Sequence, residues 1–203
     1  MRYLTPELLH LLSAERKMAF IAGPRQVGKT TLVRHLLEGA GQAGNYFNWD
    51  VESHRKAILR GPEGFWTEPG STRARIALDE IHKYPRWKRF LKGLYDVAGK
   101  QTDILVTGSG RLDVYQRGGD SLQGRYGLYR LHPFTLGEML AADRVSVREP
   151  RRLWREVLEG AAPAQAAREA LDQLERLTGF PEPLLSGSET RLQRWRRGRH
   201  HLV

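Results

Sequence analysis

The sequence predicts an α/β fold built on a largely parallel sheet. Three observations lead there. Short β-like runs alternate with helical ones, a glycine-rich loop joins the first such run to the helix behind it, and a later apolar run ends in two adjacent carboxylates. Five strands are expected, at Met18 to Ala22, Asn45 to Trp49, Arg75 to Asp79, Asp103 to Gly108 and Gly127 to Leu131.

An amphipathic helix precedes the first strand. Leu8, Leu9, Leu11 and Leu12 supply its apolar residues, Thr5 can cap it, Pro6 fits its first position with a preset φ, and Glu7 suits the positive end of its dipole. The first strand runs into the loop at Gly23, and Thr30 to Leu37 reads as helix. Gly61 to Ser71, with its Gly, Pro, Glu and Trp, reads as an irregular connection. Between the third and fourth strands Trp87, Phe90, Leu91, Leu94, Tyr95 and Ala98 recur at helical spacing, so one apolar face can pack on the sheet. Arg111 to Arg125 carries Gly118, Gly119 and Gly124 and reads as largely irregular. Two polar, Ala-rich helical stretches follow, about Pro150 to Glu159 and Pro163 to Thr178. The second is stopped by Gly179 as a C-cap and by Pro181. This organisation divides into a core over residues 1–145 and a helical extension over residues 146–203.

Composition narrows the function classes. The 203 residues carry 33 Lys plus Arg against 23 Asp plus Glu, a net charge of +10. At 40% hydrophobic and 28% charged, the chain groups with globular proteins rather than disordered tails or collagens. The absence of cysteine removes disulfides, thiolate nucleophiles and cysteine-ligated metals, and it agrees with a reducing compartment, the cytoplasm being the default. No apolar run approaches the roughly 20 residues a bilayer requires, so no membrane partner is expected. Glu7 and His10 interrupt the N-terminal leucines, which therefore do not read as a secretory signal. Arg191, Arg194, Arg196, Arg197 and Arg199 lie in a tail without acids, so half of the net charge sits there rather than across the body.

Gly23-Pro24-Arg25-Gln26-Val27-Gly28-Lys29-Thr30 follows the pattern G-x-x-x-x-G-K-[ST], straight after a strand and straight before a helix. The glycines let the backbone curl so that successive N–H groups point inward at phosphate oxygens, and the helix adds the positive end of its dipole. Lys29 would bridge the β and γ phosphates, and Thr30 would give its hydroxyl oxygen to Mg²⁺.

Ile76-Ala77-Leu78-Asp79-Glu80 is an apolar strand ending in two carboxylates. In an α/β sheet such strand ends share an edge with the phosphate loop. Asp79 at the strand tip would hold Mg²⁺ through its water shell, while Glu80 could orient and deprotonate the water that attacks the γ-phosphate. The bland reading is a solvated acid pair opening a loop. The fourth strand ends in Thr107-Gly108-Ser109, either hydroxyl of which could bond the γ-phosphate or the attacking water. Such a turn is also common for structural reasons alone.

With these blocks in hand, the chain resembles the P-loop ATPases of the AAA+ superfamily, and most of all those bacterial and archaeal members that are usually fused to a second domain. The matching residues are Gly23 to Thr31, Leu78 to Pro85, Thr107 to Ser109, Gly118 to Tyr126 and His132 to Leu136. The resemblance implies a P-loop NTPase fold, a five-stranded, mainly parallel sheet sandwiched by helices, with ATP and Mg²⁺ as cofactors and Thr31 as part of the phosphate site. It also implies that the strand ending at Thr107 lies between the phosphate-loop strand and the Asp79 strand, an order spacing alone does not give. It looks as if Arg125, in Gly124-Arg125-Tyr126, contacts the γ-phosphate, in cis or from a neighbouring subunit of a homo-oligomer. The alternative is an arginine satisfying a carboxylate or backbone carbonyls. Relatives continue past Pro181 to Leu184 and an Arg-rich helix into the second domain, whereas here the sequence stops at Val203, so residues 146–203 read as the start of that domain.

The expected function is Mg²⁺-dependent ATP binding and hydrolysis coupled to a partner or attached domain. One alternative is a nucleotide-gated module with little turnover that recruits protein or nucleic acid. In the latter case the basic tail, with Trp195 among its arginines, would hold phosphates, unless that helix is cut and Trp195 and Leu192 lack their packing partners. Another alternative is a P-loop small-molecule kinase. Trp49, Trp66 and Trp87 read as core residues rather than an adenine pocket. Asp50, at the end of the second strand, is a secondary candidate.

Overall fold

The computed structural model describes residues 2–68, 70, 73–99, 101–108, 122–140 and 164–200. They divide into two compact units, one over Glu7–Leu131 and one made of Met1–Pro6 with His132–Val203. The breaks between them fall after Pro6 and after Leu131. Segments just after Leu131 are tied to the extreme N-terminus, Arg2 Nε donating to Glu138 Oε1 at 2.7 Å and the Tyr3 N–H to the same oxygen at 3.0 Å.

In the first unit, β1 (Met18–Ala22), β2 (Tyr46–Asn48), β3 (Ala74–Asp79), β4 (Thr102–Thr107) and β5 (Tyr126–Arg130) form one sheet in the order β2-β3-β4-β1-β5. Every pairing is parallel. β4 lies between β1 and β3, as the sequence resemblance implies. β1 and β4 are buried along their whole length, as strands covered on both faces are, β1 through an unbroken apolar run and β4 through Ile104, Leu105 and Val106. β5, at an edge, is half-exposed from Tyr126 to Tyr129 and exposed at Arg130.

The helices flanking the sheet carry the periodicity read from the sequence. α1 (Thr5–His10) passes into a π-helical turn, Leu11–Glu15, closed by Arg16 in the left-handed region. Thr5 is the first helical residue rather than the cap, and its hydroxyl is buried without a hydrogen-bond partner among the described residues. α2 (Lys29–Glu38) follows the phosphate loop, α3 (Glu52–Leu59) follows β2, and α4 (Trp87–Ala98) lies between β3 and β4. From α4, Trp87, Leu91, Leu94 and Ala98 enter a core shared with Phe20, Ile76, Leu78, Ile104 and Val106. Each such aliphatic side chain contributes on the order of 1.5–3 kcal/mol by leaving water. Trp66 and Trp87 are in this core, as expected, whereas Trp49 is only partly buried and packs against it.

The second unit contains α5 (Leu136–Leu140), α6 (Ala164–Leu177), α7 (Pro181–Ser186) and α8 (Glu189–His200). The helix expected at Pro150 to Glu159 lies outside the described residues. α6 ends through Thr178, whose φ of +67° takes the left-handed position expected of Gly179. Gly179 is needed for a different reason. A Cβ there would lie 2.5 Å from the Phe134 carbonyl oxygen, in a close approach sealed by the Phe134 N–H donating to the Gly179 carbonyl at 2.6 Å. α8 is not an unpacked end, because Leu192 is buried and the Trp195 ring lies 4.9 Å from that of Phe180. No helix among the described residues is long and apolar enough to cross a membrane.

Candidate functional site

β1 delivers the chain to the phosphate loop at the edge where the strands end. Gly23 leaves the strand with φ +152°, and a Cβ there would collide with the Leu131 carbonyl oxygen, so only glycine fits. Val27, fully buried, anchors the far side of the loop, while Pro24, Arg25, Gln26, Thr30 and Thr31 are exposed. Gln26 (φ +64°) and Gly28 (φ +96°) complete the curl ahead of α2. Lys29 is buried and folds back over the loop, its Nζ donating to the carbonyls of Gly23 at 2.9 Å and Pro24 at 2.8 Å. Burial lowers its pKa, and the charges of Glu80 and Asp79 work against that shift. The ammonium thus feels the charge of both acids while resting on carbonyl partners that a phosphate oxygen can replace.

Asp79 is the centre of the arrangement. It is 4% exposed and its carboxylate accepts three hydroxyl hydrogen bonds. Thr30 Oγ1, on α2, donates to Oδ2 at 2.8 Å, Tyr46 on β2 donates to the same oxygen at 2.6 Å, and Thr107 on β4 donates to Oδ1. The register of β2 and β4 against β3 brings these groups together, setting Asn48 and Thr107 beside Asp79. All three donors are neutral, so the carboxylate is oriented while its charge remains available to a cation. Burial, reinforced by the hydrogen bond to Asp79 and by its charge, pushes the Tyr46 hydroxyl up to about 12. The Arg34 guanidinium covers the Tyr46 ring at 4.0 Å from its centroid.

Glu80 occupies the left-handed region at φ +57°, a conformation that costs a non-glycine residue about 1–2 kcal/mol. Its N–H donates to the Thr107 carbonyl at 3.0 Å and its carbonyl accepts from the Lys83 N–H at 3.0 Å, which hold the turn. Its carboxylate is 3.4 Å from Lys83 Nζ and 3.7 Å from His82 Nε2. Lys83 also reaches Asp50 at 2.5 Å, so Asp50 lies at this edge as expected, but in an ion pair.

The structure therefore brings together Lys29, Thr30, Asp79, Glu80 and Thr107. Thr107 differs from expectation, since its fully buried hydroxyl is committed to Asp79 rather than offered to a phosphate or a water. Ser109 lies outside the described residues, as do residues 118–121 of the block from Gly118 to Tyr126. Arg125 stands apart. It precedes β5, whose Tyr126 is level with Met18 at the start of β1, so about five residues, or roughly 16 Å of strand, separate it from the phosphate loop. Its guanidinium pairs with Asp96 at 3.0 Å, which is the carboxylate-satisfying alternative, and contact in cis with a nucleotide in its own loop is out of reach.

Sequence reasoning missed Tyr46, Arg34 and Lys83. Tyr46 left one signal: a tyrosine inside a buried strand needs a partner for its hydroxyl, and the nearest strand tip to supply one is Asp79. A family model described as an AAA domain matches residues 15–140, more than half of the chain. No curated protein matches it.

Proposed function

The chain belongs to the AAA domain family, a nucleotide-binding, ATPase-like module, and we propose that it binds ATP with Mg²⁺ at this site and hydrolyses it. The observation that carries the reading is Asp79, buried at the C-terminal end of β3 beside the phosphate loop and, among the described residues, oriented by hydroxyls alone. A carboxylate and a hydroxyl oxygen are hard donors of the kind Mg²⁺ takes when it keeps most of its waters. Thr30 and Asp79 would hold the metal, which supplies charge neutralisation for the β and γ phosphate oxygens. Lys29 would exchange the Gly23 and Pro24 carbonyls for those oxygens, and the loop N–H groups would fix the phosphates in place.

Glu80 is the general base of this proposal. It leaves Lys83, accepts a proton from water, and the water oxygen bonds to the γ-phosphorus as the bond to the β,γ-bridging oxygen breaks, giving ADP and phosphate. Hydrolysis would be coupled to a partner, an attached domain or a second copy of the chain. Glu80→Gln is expected to keep ATP affinity, read by calorimetry, and to lower phosphate release by about 10²–10⁴-fold. Equal turnover in variant and parent would remove Glu80 from the mechanism.

One observation favours a second reading, a nucleotide-gated module with little turnover. Glu80 is engaged by Lys83 and faces His82. In that case parent and Glu80→Gln share the same negligible release while both bind ATP. A kinase would pass the phosphoryl group to an added acceptor rather than to water.

A further inference from the structure

Past Glu80, the ends of β2 and β3 build a second surface. The Trp49 and Tyr84 rings stack at 4.7 Å with 21° between their planes, and the Lys83–Asp50 pair ties the same two segments together. Both rings are half-exposed, with Val51 and Pro85 exposed beside them. α4 starts two residues beyond Pro85, with Arg86 at its N-cap, Lys88 and Arg89 in its first turn, and no acid there. Between Glu80 and Asp96 the sequence holds Lys83, Arg86, Lys88, Arg89 and Lys92 and not one Asp or Glu.

This is the wrong charge for the helix itself, since cations at the N-terminus oppose the macrodipole. Lys92 has a partner within α4 in Asp96 at 3.5 Å. Arg86 and Arg89 are exposed, and no side-chain hydrogen bond or ion pair engages either guanidinium among the described residues. Of the acids bordering the patch, Asp50 and Glu80 share Lys83, and Glu52 pairs with Lys56 at 2.8 Å. What remains is unpaired guanidinium beside a flat aromatic platform. Charge alone would serve any polyanion, but a half-exposed aromatic pair serves one that also presents flat, apolar faces. A duplex hides its base faces in the stack, whereas a single strand offers them.

We propose that Trp49 and Tyr84, together with Arg86 and Arg89, form a docking surface for single-stranded nucleic acid, bases stacking on the rings and phosphates meeting the guanidinium groups. The surface is made of residues of the unit over Glu7–Leu131, whereas the basic tail belongs to the other unit.

The test is fluorescence anisotropy of a labelled oligothymidylate with the full chain in saturating Mg-ATP, so that the phosphate loop does not compete. Arg86→Glu combined with Arg89→Glu is expected to weaken binding at least about tenfold and to flatten the dependence of log K on log salt by about 1.4. Trp49→Leu should weaken it by roughly 5- to 100-fold, with partial recovery in Trp49→Phe. Circular dichroism and Mg-ATP calorimetry check that each variant is folded. Replacing Arg194, Arg196 and Arg197 by Gln should leave binding within about twofold if those tail arginines make no phosphate contact. The proposal is overturned by an absence of binding, by loss only in the tail variant, or by indifference to Trp49→Leu. Equal displacement by polyglutamate would also overturn it and assign the surface to acidic peptides.

Discussion

Where the strands begin, Asp103 lies between two guanidinium groups; where they end, Asp79 lies among three hydroxyls. Asp103, 5% exposed, is bonded by Arg73 and by Arg75 at 3.0 Å. Those arginines are themselves spread over the carbonyls of Gly99, Thr102 and Leu36. The charge there is spent inside the fold and fastens β3 and β4 to α2 and the end of α4. Asp79 is as deeply buried, yet its donors are Thr30, Tyr46 and Thr107, none of which carries a charge. Burial of a carboxylate therefore says little about its role. What its partners leave uncompensated decides whether it is a rivet or a site.

Exchanging the two acids separates these roles. Asp79→Asn is expected to weaken the Mg²⁺-dependent part of nucleotide binding by about 10- to 100-fold or more, read by calorimetry with and without chelator, because the oriented charge is gone. Asp103→Asn leaves two partly buried guanidinium groups without their counter-charge, and should cost about 3 kcal/mol in urea unfolding with nucleotide affinity of the folded fraction unchanged. The same loss in both assays for both variants would erase the distinction.

A smaller effect is expected at high pH. The Tyr46 hydroxyl is raised from 10.0 to about 12 by burial, the Asp79 hydrogen bond and the Asp79 charge. A group whose folded pKa is raised contributes stability that is whole below its unfolded value and is lost as pH rises through the folded one. The metal-free protein should thus lose stability between about pH 10 and about pH 12, and Tyr46→Phe should show a shallower loss over that window in denaturant titrations. Smallest of all, Arg125→Ala removes a half-exposed pair with Asp96 and is expected to cost under about 1 kcal/mol. At a protein concentration too low for association it should not alter ATP affinity, and a drop there would overturn its placement at the far edge.

Much of this was legible beforehand. The loop, the five strands and the apolar face of α4 announce themselves through local spacing, and Asp79 and Glu80 are marked by ending an apolar run. Tyr46 and Thr107 were harder, because their partner is 33 and 28 residues away and only strand register selects it. The place of Arg125 was harder still, because its glycine-flanked block gives no sign of which end of the sheet it borders. Thr5 failed as a cap because α1 begins on it rather than after it.

The sequence by itself determined that a backbone loop shaped for phosphates opens a helix and that two acids close a strand, since both follow from glycine placement and from alternation of apolar and polar runs. Tertiary structure alone decided what each charged group faces. Parallel register brought Tyr46 and Thr107 to one carboxylate that Thr30 reaches from α2, and set Arg125 a full strand length from the phosphate loop, through contacts between residues distant in the chain that local pattern does not encode.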